Sequence, residues 1–182
     1  RNEIIGYHGS EEGLETLLGY QLFSIGNRAD SAALVYQVDY VLDGYVKKAG
    51  TNFVLSVGRL IGSQPELKGE QRLRKEDIYW EMPRCYQWDI TVNLPEGYRI
   101  SPEGLERLNV KVENDCGAFI VQATTEDGTL RIKAEKRINH KTEPVANWEK
   151  LLEITDAANS YEALSIVFQA TINPPTSPTT GY

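Results

Sequence analysis

From Tyr86 to Leu94 every second residue is apolar. Tyr86, Trp88, Ile90, Val92 and Leu94 share one parity, and Gln87, Asp89, Thr91 and Asn93 share the other. Successive side chains of a strand point to opposite faces, so this alternation specifies a strand with one core-facing and one water-facing side. Trp88 lies on the core parity. Leu94-Pro95-Glu96-Gly97-Tyr98 then closes the strand, because Pro95 presets φ for a turn and Gly97 supplies the positive φ the turn requires. The stretch Tyr79 to Ile100 is therefore the strand around which the remaining elements are expected to arrange themselves.

Taken in order, Ser10 is a good helix cap, Glu11 and Glu12 suit the positive end of a helix dipole, and Leu14, Leu17 and Leu18 recur at helical spacing. These features predict a short helix from Ser10 to about Tyr20, weakened by Gly13 and Gly19. Ile25 to Asp30 reads as a loop. Leu34, Tyr36, Val38, Tyr40 and Leu42 alternate as a second long strand, expected to form a loose hairpin with Phe53, Leu55 and Val57. Ser63 to Glu70, with Pro65 and Gly69, breaks the pattern and reads as a connection between sheets.

Beyond the alternating strand, Ser101-Pro102-Glu103 predicts one or two helical turns carrying Leu105 and Leu108. Asn109 to Glu113 is a short strand, and Asn114-Asp115-Cys116-Gly117 is a turn into a strand with Phe119, Val121 and Ala123. Asp127-Gly128 marks a tight hairpin leading to Leu130, Ile132 and Ala134 opposed by Arg131, Lys133, Glu135 and Arg137. Val145, Trp148, Leu151 and Leu152 form a helix that packs on the sheets, and Leu164 to Ile172 a last apolar strand.

Six or seven short strands with turn signals between them predict a mainly β fold. The expected architecture is an antiparallel β-sandwich of immunoglobulin-like character with short peripheral helices. Residues 1–30 read as an N-terminal helical extension or the end of a preceding domain, 31–172 as the β-sandwich domain, and 173–182 as a flexible Pro/Thr-rich tail. A chain of 182 residues buries enough surface to fold without metal or disulfide staples.

The formal net charge of −7 disfavours nucleic acid as a partner, since phosphate backbones reward clustered Lys and Arg. The apolar runs are far shorter than the roughly 20 residues a membrane-spanning helix needs. Neither histidine, His8 or His140, has another His or Cys at ligand spacing, and no metal or other cofactor is expected.

Cys116, His140 and Asp156 follow the order of a thiol-nucleophile triad, in which a base activates the sulfur and a carboxylate orients the base. Against this, Cys116 sits in a turn beside Glu113 and Asp115, whose charges raise a thiol pKa instead of lowering it. The chain is expected not to be an enzyme. The two cysteines, Cys85 and Cys116, allow one disulfide or two plain thiols. Trp88 and Trp148 lie on buried faces, which leaves Trp80 and Tyr79 as the candidate ligand contacts.

The series Gly58-Arg59-Leu60-Ile61-Gly62, Arg72 to Tyr79, Met82-Pro83-Arg84, Leu94 to Tyr98, Val112-Glu113-Asn114, Gly117-Ala118-Phe119 and the Pro144 to Asp156 helix resembles a C-terminal domain of unknown function. That domain follows transglutaminase-like domains in multidomain proteins of Bacteroides-type bacteria. The resemblance spans about residues 30 to 172. It implies a β-sandwich downstream of a papain-like catalytic core, in a protein exported to the periplasm or cell envelope. It carries no catalytic residue over to this chain. The function it implies is a non-catalytic accessory or interaction domain that positions or regulates the upstream module. The alternatives are a module binding an envelope glycan or peptide through Trp80 and Tyr79, and a thiol enzyme using Cys116.

Overall fold

The computed structural model describes residues 14–27 and 32–171. The Ser10 cap, His8 and the tail 173–182 lie outside the described residues. The chain divides into two compact units, Arg1–Val46 and Lys47–Tyr182.

In the first unit β1 (Leu14–Asn27) and β2 (Ala32–Leu42) form a two-stranded antiparallel ribbon. This corrects the expected helix: its described part, from Leu14 onward, is strand. Leu14, Leu17 and Leu18 do recur at helical spacing, but β1 pairs along its length with β2, and long-range pairing overrides a weak local preference. Gly19 fits the ribbon better than a helix. It faces Asp39 across the ladder, and a Cβ at Gly19 would lie 3.2 Å from the Asp39 Oδ2. The partner of β2 is likewise corrected, since β2 pairs with β1 and not with the segment at Phe53.

The second unit is mainly β, and its strands pair antiparallel. One four-stranded sheet joins β3 (Val46–Ala49), β4 (Asn52–Leu55), β12 (Ile166–Ala170) and β7 (Tyr98–Arg99) in the order β3-β4-β12-β7. The other joins β6 (Arg84–Asn93), β8 (Val110–Asn114), β9 (Gly117–Glu126) and β10 (Thr129–Ile138) in the order β6-β10-β9-β8. A two-stranded patch pairs β5 (Ile78–Tyr79) with β11 (Thr142–Glu143). Two helices complete the unit, α1 (Pro102–Glu106) and α2 (Trp148–Glu162).

The local turn chemistry forms as the residues dictate. Ser101 Oγ accepts the Gly104 N–H at 3.0 Å and caps α1. Asp127 and Gly128 both take positive φ, 47° and 71°, as a two-residue hairpin of this type requires. Gly97 has φ 79°, and the Tyr98 N–H closes the turn on the Pro95 carbonyl at 3.1 Å.

The alternating strand β6 has the expected parity, with Trp88, Ile90 and Val92 each less exposed than their polar neighbours. It stands at the edge of the sheet, and the core row lies on its neighbours. On that face Val92, Ile90 and Trp88 pair with Leu130, Ile132 and Ala134 of β10, which in turn face Thr125, Ala123 and Val121 of β9. Leu130, Ile132, Ala134, Val121 and Ala123 are buried, whereas Trp88, Ile90 and Val92 are half-buried and Tyr86 is 48% exposed. Helix α2 lies against β8 and β9 and places Leu151, Leu152, Ile154, Ala158 and Tyr161 in the core. Its Tyr161 ring meets Phe119 of β9 edge-on at 5.8 Å. Gly58 donates to the Leu164 carbonyl at 3.0 Å, and a Cβ there would strike the Tyr161 and Glu162 carbonyls, so the chain must be glycine where it passes the end of α2.

The connection from Ser63 onward is tied down by side chains. Arg72 grips Asp156 of α2 through two bonds of 2.8 and 2.7 Å, and the Gln64 N–H donates to Glu162. Lys136, on the core face of β10, donates to Gln64 Oε1 at 2.9 Å.

Candidate functional site

A cluster of titratable groups forms where β5, β11, the β8–β9 turn and the start of α2 meet. Its centre is Glu143, 2% exposed and the buried charged side chain among the described residues. Strand β11 holds it there by pairing Glu143 with Ile78. Its carboxylate accepts Asn147 Nδ2 at 2.8 Å and faces His140 Nδ1 at 2.5 Å. Burial works against ionisation, but the bonds from Asn147 and His140 outweigh it and hold the carboxyl below the ordinary carboxylate range.

Beside it, the Asn114-Asp115-Cys116-Gly117 turn presents Cys116 inward. Asn114 Oδ1 accepts the Cys116 N–H at 3.0 Å, and the Asn139 N–H bonds the Cys116 carbonyl at 2.9 Å. Asp115 is held outside by Lys150, whose Nζ lies 2.9 Å from both carboxylate oxygens. The Cys116 thiol is fully buried. Burial first, and then the charges of Glu143 and Asp115, push it up to about 11. Lys150 opposes this weakly. A thiol so placed stays protonated at neutral pH, the opposite of what a nucleophile needs. The three residues in triad order are not brought together either, because Asp156 is engaged with Arg72 and the carboxylate beside His140 is Glu143.

Cys85 and Cys116 are both free, the first exposed and the second buried. The disulfide left open by the sequence does not form. Cys85 on β6 is opposite Arg137 of β10, and Arg137 is opposite Ala118 of β9, so a whole strand lies between the two cysteines. Two strand spacings amount to ~10 Å, beyond the ~7 Å that a bridge tolerates between Cα atoms.

The two candidate ligand contacts part company. Tyr79 is 63% exposed, with the Lys141 ammonium 5.2 Å from its ring centre. Trp80 is half-buried and packs against Ile78, Cys116 and Leu151 together with Ile138 and Trp148. Trp148 in turn donates to the Arg72 carbonyl at 2.8 Å and lies under the Arg74 guanidinium. Glu143 and Asn147 were not singled out from sequence; the one available signal was the three-residue spacing from His140 to Glu143.

On the opposite, wet face of the sheet, Arg137 bonds Glu135 and Glu113 at 2.7 Å each, spanning the small Ala118 between them. A cleft of about 200 Å³ lies between α1 and β12 and includes Glu103, Arg107 and Gln169 in its lining. Among the described residues no group of His, Cys, Asp and Glu is arranged to hold a metal ion, and no helix is long and apolar enough to cross a membrane.

No curated protein and no solved structure matches the chain. A family described as Domain of Unknown Function with solved-structure structure (DUF3858) matches residues 57–168. The match begins at the turn beside Gly58, takes in the β6-β10-β9-β8 sheet, the Glu143 cluster and α2, and ends within β12. Since it covers more than half of the 182 residues, this chain belongs to the DUF3858 family of domains of unknown function.

Proposed function

We propose that the chain is a non-catalytic accessory domain that positions or regulates a transglutaminase-like catalytic module in an exported periplasmic or envelope protein. The observation that carries this reading is strand β6. Among the described residues it pairs only with β10, so one side of its ten-residue backbone is open to a partner. Its apolar row is only half covered. Open strand edges with apolar neighbours invite pairing unless they are covered, and adding an extended segment to such an edge is a recurrent recognition mode. The partner's identity rests on the sequence resemblance. The protonated, buried Cys116 favours a structural over a catalytic part for the Glu143 cluster.

Calorimetric titration of this chain with the transglutaminase-like module tests the reading. Saturable one-to-one binding is expected, weakened at least tenfold by Tyr86→Lys, a change at an exposed position of the open strand. No heat of binding at any ratio would sink it. A second reading, a glycan- or peptide-binding module, is favoured by the exposed Tyr79 ring and its Lys141 neighbour. It predicts weak glycan or peptide binding that Tyr79→Ala abolishes and Tyr86→Lys leaves alone.

A further inference from the structure

The β1–β2 ribbon is apolar on both faces. The register sets Ile25 opposite Leu34 and, one step along, Ser24 opposite Val35, so Ile25 and Leu34 project to one side and Val35 to the other. Ile25 is 82% exposed, Leu18 67%, Phe23 57%, Leu34 49% and Val35 46%. Charge does not offset this, since Glu15 and Asp39 are the charged residues in the two strands. The Tyr20 ring stacks on Tyr36 at 6.3 Å, so part of the ribbon's apolar surface is covered within the ribbon and the rest is left to solvent.

A two-stranded hairpin is at best marginally stable alone in water, and large exposed apolar patches mark contact surfaces. Strand geometry decides what kind of contact. Eleven residues at ~3.4 Å by two strands at ~4.8 Å make a face of about 400 Å². That is roughly half of the ~800 Å² that each partner gives to a standard interface, so one face stacked on a second copy does not suffice. Apolar residues on both faces and, among the described residues, unpaired backbone on both outer edges describe a strand pair from the interior of a larger sheet, covered above and below.

We infer that the β1–β2 ribbon is donated to the open edge of a β-sheet in a neighbouring folded domain, where it becomes a pair of interior strands. The occupant is a sheet with an unpaired edge flanked by apolar layers. It takes the ribbon by backbone pairing and buries Ile25, Leu34 and Val35. This inference rests on the accessory-domain reading for the choice of neighbour, and it assigns the fastening to a segment other than β6.

Hydrogen exchange on the full chain, alone and mixed with the transglutaminase-like module, tests it, with oligomeric state measured in parallel by light scattering. Alone, the chain is expected to be monomeric, with β1 and β2 amides exchanging at least a hundredfold faster than those of β9 and β10. Adding the module should slow ribbon exchange at least tenfold, and Ile25→Asp should abolish that protection while the melting of the β9–β10 sheet stays unchanged. Protection of the ribbon in the monomer, or in a dimer of the chain, overturns the inference. Binding of the module with the ribbon still exchanging freely overturns it too, but leaves the accessory-domain reading standing. Absence of any binding removes both.

Discussion

Strands β6 and β10 are neighbours in one sheet, share a core-facing parity and pair residue for residue, yet they live in different environments. Ile132 of β10 is fully buried, while Ile90, directly opposite on β6, is only half covered. The same contrast separates the cysteines, Cys85 exposed on β6 and Cys116 sealed beside Glu143. Alternation fixes which way a side chain points. Burial is then decided by what lies over the face and beside the edge, and among the described residues β10 has strands on both sides while β6 has one.

The largest expected contrast is in thiol reactivity. Under native conditions without reductant, an aromatic disulfide reagent should label Cys85 promptly and leave Cys116 untouched, because Cys116 is both inaccessible and protonated. In denaturant both should react. Fast labelling of two thiols in the native protein would mean that the Glu143 corner is open, and no labelling of either in denaturant would mean that the pair is bridged after all.

Next in size comes Ile132→Ala, which removes buried methylenes from the centre of the sheet and leaves a cavity beside Leu130, Ala134 and the paired row on β9. A loss of about 3 to 4 kcal/mol is expected in denaturant melts. A loss below about 1 kcal/mol would place the core elsewhere.

The closed corner has its own signature in acid. Because the Glu143 carboxyl is held below its unfolded value of about 4.3, its ionised form contributes stability that is fully present above that pH. The contribution fades as pH falls through the lower folded value. Glu143→Gln keeps the shape but cannot accept from both His140 and Asn147 with the same strength, and should cost about 2 kcal/mol at neutral pH. The gap between variant and parent should close below about pH 4, where the parent loses its charge as well. A gap that stays constant down to pH 3 would mean that the carboxylate is not the acceptor.

Much of this fold was readable before any coordinates, and the misses have a common cause. The parity of β6, the Asp127-Gly128 hairpin, the Ser101 cap and the position of α2 follow from residues within a few places of one another. Strand order does not. β6 finds its neighbour only at Thr129, and nothing in its own alternation says that its other edge has no partner among the described residues. The ribbon departs from its expected helix for the same reason, since Leu14, Leu17 and Leu18 carry helical spacing while the residues that make them strand lie in β2. At the candidate site, the acidic surroundings of Cys116 could be read from Glu113 and Asp115. The carboxylate with the larger influence, Glu143, comes from a two-residue strand whose burial depends on β5, α2 and the β8–β9 turn closing around it.

The smallest expected effect is the one that measures the openness of β6 most directly. Ile90→Ala deletes the same atoms as Ile132→Ala, on the same face and in the same paired row, so transfer chemistry and strand propensity cancel in the comparison. What remains is coverage. With the side chain already half in water and room for solvent to fill the space, the cost should fall to about 1 kcal/mol. Repeating the pair of melts in the presence of the proposed transglutaminase-like partner converts the difference into a footprint. If a partner covers β6, the Ile90→Ala cost should rise toward that of Ile132→Ala in the complex, whereas a cost that stays at its free value would show that β6 remains an open edge when the partner is in place.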